Sequence, residues 1–363
     1  MIAWLDNLSE TQQLLLFTGV KVVGAFSVMM TMVAYIVLVE RRVCAFIQGR
    51  IGPNRVGPLG LLQPAADAVK AFFKEEVTPG HVRKIYYLLA PAICLIPAIL
   101  NLAVIPFGSN LGKQAMVLAD LNVGILYTFG IVSLGVYGIV LAGYAANSKY
   151  PFLGGIRSSA QMISYEIAMG MSVIPIFLFV GDLNLGSVIQ AQTGTLGWVP
   201  AWLPLPNWFV LQSPMTFVAF CVFLVASFAE TNRTPFDLPE AEQELAGGYN
   251  IEYSSIKFAM FFMGEYASMI LVSAMMVTVF FGGWTLPWFG LDQPASDLVH
   301  GALHIGIFLA KVFMFLLLFI WIRWMWPRFR YDQLMKLGWQ GFLPLALVNI
   351  LVTAVWLWWQ TPK

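Results

Sequence analysis

The sequence predicts an all-α integral membrane protein: eight transmembrane helices plus one amphipathic helix lying along the cytoplasmic interface. Composition is the first observation behind that reading. Of 363 residues 59% are hydrophobic and only 11% charged, with 13 Trp and a mean hydropathy of +0.76, more apolar surface than one soluble core can hide. The second is length. A helix needs about 20 residues to cross a hydrocarbon layer of roughly 30 Å, and stretches of that kind recur at 14–39, 85–106, 123–146, 159–180, 214–230, 254–281, 303–326 and 340–359. The third is the placement of Lys and Arg, which crowd the connectors of one side and leave the other only Lys113 and the terminal Lys363. Residues 1–363 thus form a single polytopic membrane domain.

The first stretch, 14–39, follows a polar N-terminus and lacks both an early basic region and a small-residue cleavage site, so it is expected to stay as a span. The connector after it carries Arg41, Arg42, Arg50, Arg55, Lys70, Lys74, Arg83 and Lys84, and the later connectors of that side add Lys149, Arg157, Arg233, Arg323, Arg328 and Arg330. The connectors 181–213 and 282–302 have no Lys or Arg. Basic loops resist translocation, which puts the basic side in the cytoplasm and both termini outside. The outward connectors are rich in Trp and Pro instead (Trp198, Trp202, Trp208, Trp284, Trp288), as residues at headgroup level are.

Two cytoplasmic connectors are locally patterned. The first, ERRVCAFIQGRIGPNRVGPLGLLQPAADAVKAFFKEEVTP (40–79), repeats Gly-Pro twice and then sets Leu62, Ala65, Ala66, Val69 and Phe73 on one helical face, with Asp67, Lys70 and Lys74 on the other. That predicts an amphipathic interfacial helix over 60–76, in which Asp67 and Lys70, one turn apart, either pair or face a cavity. The second is the acidic loop 231–253, within SFAETNRTPFDLPEAEQELAGGYNIEY, which gathers Glu230, Asp237, Glu240, Glu242, Glu244 and Glu252 around Arg233. Arg233 serves either as a simple ion pair that neutralises the loop or as a gate that couples the titration of several acids. Gly247 and Gly248 close the segment.

Inside the spans the ionisable residues are few: Lys21, Glu166, Glu230, Glu265 and Lys311. Each is expensive in lipid unless it meets a partner or a wet cavity. With a helix starting near 159, Glu166 lies on the order of 10 Å inside it; Glu265 lies about 17 Å inside a helix starting near 254. Such acids, spaced through adjacent spans, are suited to relaying protons. The structural alternative is a buried Glu tied to Tyr165 or Tyr266.

Other chemistries find little support. Cys44, Cys94 and Cys221 lack metal-ligand spacing and sit in apolar segments as packing residues, and His81, His300 and His304 are scattered. No phosphate loop or nucleophile elbow is present, and the charge balance of +1 offers no dense basic face for nucleic acid. A secondary antiporter would repeat itself in two halves, and 1–180 and 181–363 do not.

The run from Glu40 to Glu76 and the run AETNRTPFDLPEAEQELAGGYNIEYSSIKFAMFFMGEY (229–266) resemble the two signature regions of a known family, the quinone-site membrane subunit of respiratory complex I. Its members are the H subunits of NADH:quinone oxidoreductase, called NADH dehydrogenase subunit 1 in mitochondria. LADLNVGILY (118–127), NSKYPFLGGIRSSAQMISYE (147–166) and WIRWMWPRFRYDQLMKLGW (321–339) add matches in the same order, over roughly 14–360. The connector 181–213 is longer than the family needs. The resemblance implies a proton-translocating enzyme subunit, inactive alone, that forms the access tunnel for ubiquinone or another quinone. Arg41, Asp67, Lys70, Arg233 and Arg323 would line that tunnel. Glu166, Glu230, Asp237, Glu240, Glu242, Glu244, Glu252 and Glu265 would couple quinone reduction to proton transfer toward antiporter-like subunits. It implies no catalytic residue in the strict sense, no metal and no cofactor on this chain. NADH is oxidised elsewhere in such a complex, and FMN and iron–sulfur clusters belong to the peripheral-arm partners. Small membrane subunits and the lipid bilayer complete the surroundings. A bacterial plasma membrane is the expected location, with the mitochondrial inner membrane as the alternative. An anchor subunit of a membrane-bound hydrogenase is the nearest rival, but GPNRVGP and ETNRTPFDLPEAEQEL look like the quinone-reducing branch.

Overall fold

The computed structural model describes residues 10–111, 114–197, 205–238, 247–288, 290–295 and 297–360. Glu240, Glu242 and Glu244 lie outside the described residues. Helices dominate in chain order: α1 (Glu10–Ile47), α2 (Gln63–Phe73), α3 (Lys84–Asn101), α4 (Gly124–Ala145), α5 (Lys149–Val180), α6 (Leu185–Gln190), α7 (Phe209–Gln212), α8 (Pro214–Glu230), α9 (Ser255–Phe280), α10 (Leu298–Met325), α11 (Tyr331–Lys336) and α12 (Leu343–Gln360). A π-helical turn, Leu337–Phe342, joins the last two. The described sheet is one antiparallel pair of two-residue strands, β1 (Asn110–Leu111) and β2 (Gln114–Ala115).

Among the described residues seven helices are long and apolar enough to cross a membrane, and α8, with 17 residues, is a shorter apolar helix. Several helices outrun the apolar stretches that announce them. α1 continues through 40–47, because ERRVCAFI contains no breaker before Gly49. α5 begins at Lys149 and not near 159: Pro151 falls in the first turn, where a missing N–H costs nothing. Counted from Lys149, Glu166 lies about 26 Å along its helix, deeper than its expected position. The predicted amphipathic segment 60–76 is helical over Gln63–Phe73.

α9 is the axis of the bundle. Of its most apolar window 72% is buried, against 17–50% for the other long helices, and it packs on α1, α3, α8 and α10. Where helices meet most closely, glycine takes the contact. A methyl on Gly138 would come within 2.7 Å of the α3 backbone at Cys94, and Gly143 and Gly155 bring α4 and α5 together, as small residues do in membrane bundles. The outward faces of α10 and α12 leave Leu351, Val355, Met314 and Trp359 exposed, which suits lipid.

The two ends of the bundle differ. At one end Lys311 donates to the carbonyls of Phe281, Gly283 and Thr285 at 2.8, 2.9 and 2.7 Å, and Lys21 donates to Ala115 and Val117 at 3.3 and 3.4 Å. These two in-span lysines satisfy carbonyls, Lys311 those just past the C-terminus of α9, where a cation is favoured. The opposite end holds α2, the described part of the acidic loop, and Glu40, Asp237 and Glu252.

Candidate functional site

The centre of that end is a buried ion cluster whose members come from four parts of the chain. α1 supplies Glu40, the loop after α8 supplies Arg233, α9 supplies Glu265 and Tyr266, and α10 supplies Arg323. Arg233 pairs with Glu265 at 3.0 Å and with Glu40 at 3.5 Å, and Arg323 pairs with the same oxygen of Glu40. The Tyr266 hydroxyl donates to the other Glu40 oxygen at 2.7 Å, and its ring lies under the Arg233 guanidinium at 4.3 Å. Burial opposes the Arg233 charge, but Glu265, Tyr266 and Glu40 outweigh it and hold its pKa above the ordinary arginine value. Two carboxylates and two guanidiniums thus form a chain of three pairs, Glu265–Arg233–Glu40–Arg323, which offsets the cost of burying charge.

The loop that carries Arg233 is held from below by Gln161 of α5. Its amide donates to the carbonyls of Ala229 at 2.9 Å and Phe236 at 2.8 Å. From the side, Phe236 stacks on Phe329 with ring centroids 5.5 Å apart, and Asp237 accepts from Arg328 at 2.8 Å. Burial pushes the Asp237 carboxyl above its ordinary range, against the pull of Arg328, Arg323 and Arg233.

Beyond the cluster the acids continue inward. Glu230 is 4% exposed, and its Oε2 has no hydrogen-bond partner among the described residues. It faces a cavity of about 60 Å³ that it shares with Glu265, Asn101, Asn232, Tyr249 and Ser268. Glu166 stands on the far side, half-buried, accepting from Ser133 Oγ. It opens to an apolar groove of about 980 Å³ between α4 and α5, lined by Phe129, Ile163, Val173 and Phe177.

The placement of the expected residues divides cleanly. Arg233, Arg323, Glu265 and Asp237 come together, with Glu230 on the adjoining cavity and Glu166 beyond it. Glu252 stands apart, its carboxylate 3.7 Å from His81 and its carbonyl bonded by Tyr87. Asp67 pairs with Arg41 at 2.8 Å and takes a further bond from Gln63, so of the two alternatives the pair with Lys70, which is exposed, is not the one formed. Arg233 reaches Glu265 and Glu40 in preference to its sequence neighbours Glu230 and Asp237. Tyr165 and Tyr266, the alternative partners of Glu166 and Glu265, bond the Leu334 carbonyl and Glu40 instead. Gly248 is a packing residue against Gly154. Among the described residues no group of His, Cys, Asp and Glu is arranged to hold a metal ion.

Two residues that sequence reasoning passed over complete the site. Gln161 gave no sign. Glu40 did: Val33, Ile36, Glu40 and Cys44 repeat at helical spacing and are all buried, so the acid sits on the inward stripe of α1.

Fold and site together define a polytopic helical membrane protein with a paired ion cluster at one end and buried acids leading from it. The chain belongs to the NADH dehydrogenase family, whose model matches residues 20–354. Among similar proteins, the H subunit of NADH-quinone oxidoreductase from Rickettsia typhi is 51% identical over 93% of this chain and 92% of its own length. The H subunit from Ehrlichia canis is 48% identical over 92% of this chain and 88% of its own length. One from Cytophaga hutchinsonii, the H subunit numbered 1, is 45% identical over 94% and 96%.

Proposed function

We propose that the chain is the membrane subunit of a proton-pumping NADH:quinone oxidoreductase, forming the quinone access tunnel and passing the consequence of quinone reduction into the membrane arm. The observation that carries this reading is the continuity between the ion cluster and the acid-lined cavity behind it. Reducing a quinone to a quinol consumes protons along with electrons, so protonatable groups beside the headgroup feel the event directly.

Each part has a role in this reading. The tail of a quinone needs an apolar slot open to lipid, and α2 lies at such a place, with Leu62, Val69, Phe72 and Phe73 exposed. Arg41 and Asp67 mark the tunnel mouth with Lys70 nearby, and Arg233 and Arg323 lie further in, next to Glu40 and Glu265. Glu265, Glu230 and Glu166 then carry protonation inward, with Asp237 and the loop acids Glu240, Glu242 and Glu244 as the peripheral members of the route and Glu252 at its edge. Electrons arrive from iron–sulfur clusters and FMN in partner subunits docked on the loop-rich end. Eight helices, α8 included, cross a bacterial plasma membrane with both termini on the periplasmic side.

Replacing Glu166 or Glu230 by Gln keeps size and hydrogen-bonding capacity and removes the titrating proton. In the assembled complex either change should abolish most NADH:quinone turnover together with proton uptake into oriented vesicles. Glu75→Gln, on an exposed carboxylate, should leave both near wild type. Wild-type rates and gradients in both core variants would remove the acidic route and leave only the tunnel.

A further inference from the structure

Asn101, the last residue of α3, is an uncharged amide in the middle of an apolar bundle, yet only 1% of it is exposed. Neither its Nδ2 nor its Oδ1 has a hydrogen-bond partner among the described residues. A buried amide left unpaired is destabilising, so its neighbours do not explain its presence. What it does face is the cavity of Glu230 and Glu265. The helices fix where along that cavity it stands. Tyr87, near the start of α3, stacks on Tyr253 at the loop-rich end, and Asn101 lies about 21 Å further along. The cavity wall on α9 runs the same way, from Gly264 and Glu265 through Ser268 to Val272. Tyr249 and Asn232 close the near end, and Asn101 closes the deep one.

We infer that Asn101 is a positioning residue for a short chain of waters that joins Glu230 and Glu265 within this cavity. The inference rests on the acidic route set out under Proposed function. A cavity of about 60 Å³ exceeds the ~10–15 Å³ needed to admit a first water and holds about two at ~30 Å³ each, and a stable water needs two to four polar partners. Three such partners are here: the free oxygen of Glu230, the carboxylate of Glu265, and Asn101, which offers a donor and an acceptor together. An amide of this kind orients water without titrating. It gains and loses no proton, so a proton taken up at one carboxylate is balanced by one released at the other.

The test compares two substitutions of Asn101 in the assembled complex. Leu has the branching and number of side-chain heavy atoms of Asn but is bulkier and apolar, so it fills the space and excludes water; Ser is smaller, leaves room and keeps a hydrogen-bonding group. Asn101→Leu should lower quinone-linked proton uptake about tenfold and change the solvent deuterium isotope effect on turnover, with Asn101→Ser falling between it and the wild type. A residue that only fills space gives the reverse order, Ser being the more damaging, with thermal stability falling and the isotope effect unmoved; that order overturns the inference. So does wild-type behaviour in Asn101→Leu while Glu230→Gln stalls the complex, a result that leaves the acidic route standing. If Glu230→Gln is without effect while Glu166→Gln stalls the complex, the inference alone fails; if both are without effect, the route fails and the inference fails with it.

Discussion

At the scale of single residues, Glu40 bears the most. It accepts from Arg233, Arg323 and Tyr266 at once, so its loss strands two guanidiniums against one remaining carboxylate, Glu265. Breaking a buried pair by removing one partner costs about 3–5 kcal/mol. Glu40→Gln should therefore lower the thermal stability of the complex and suppress quinone reduction. A differential scan and an NADH:quinone assay check it, and unchanged values in both would deny Glu40 its central place. The acids of the route were legible in the sequence because a carboxylate inside an apolar stretch is conspicuous. Glu40 was less so: its helical spacing with Val33, Ile36 and Cys44 marks an inward face, but it sits at the step from apolar to charged residues, where a charge normally marks the end of a span. Its partners Arg233, Tyr266 and Arg323 lie 193, 226 and 283 residues away, and no local pattern announces contacts of that range.

At the scale of elements, α2 is joined to α1 by Arg41 and Asp67, and its C-terminus is held by Ser255, whose hydroxyl donates to Ala71 and Lys74 carbonyls at 2.9 Å. The Arg41–Asp67 pair is half exposed, and pairs of that kind are worth no more than about 1 kcal/mol. Its loss should spare assembly and act on access alone. Arg41→Ala or Asp67→Asn is expected to raise the KM for a long-tailed quinone several-fold while leaving NADH oxidation by a hydrophilic artificial acceptor intact. If both activities fall together in a fully assembled complex, the pair serves the structure of the cluster and not a tunnel mouth. The helices themselves were legible from apolar length, and their ends were not. α1, α5 and the α11–α12 rod extend past the apolar runs because helix geometry tolerates charge, a first-turn Pro and packed Gly, all of which look like loop in a hydropathy profile.

At the scale of the whole molecule, the bundle is two-sided in chemistry. One end is closed by lysines on carbonyls and by the connectors that carry Trp208 and Trp284. The other offers the exposed Arg41, Arg50 and Arg55, the loop of Arg233 and the face of α2, a surface suited to docking proteins. Expressed alone and reconstituted, the chain should oxidise no NADH and reduce no quinone, whereas the assembled complex does both. Robust NADH oxidation by the purified single chain would overturn the assignment of a partner-dependent role.

The formal charges of the central cluster sum to zero: Glu40 and Glu265 against Arg233 and Arg323. A proton arriving by itself upsets that neutrality and leaves a surplus positive charge among close neighbours. At about 4 Å and an effective dielectric constant of about 20, each unit interaction is on the order of 4 kcal/mol. Such an excess is too large to persist. Under the function proposed above it would be cancelled by negative charge appearing nearby, as on a half-reduced headgroup, or by a proton departing toward Glu230. Electroneutrality at this one place would then be enough to tie an electron's arrival to a proton's departure, with no large movement of the helices.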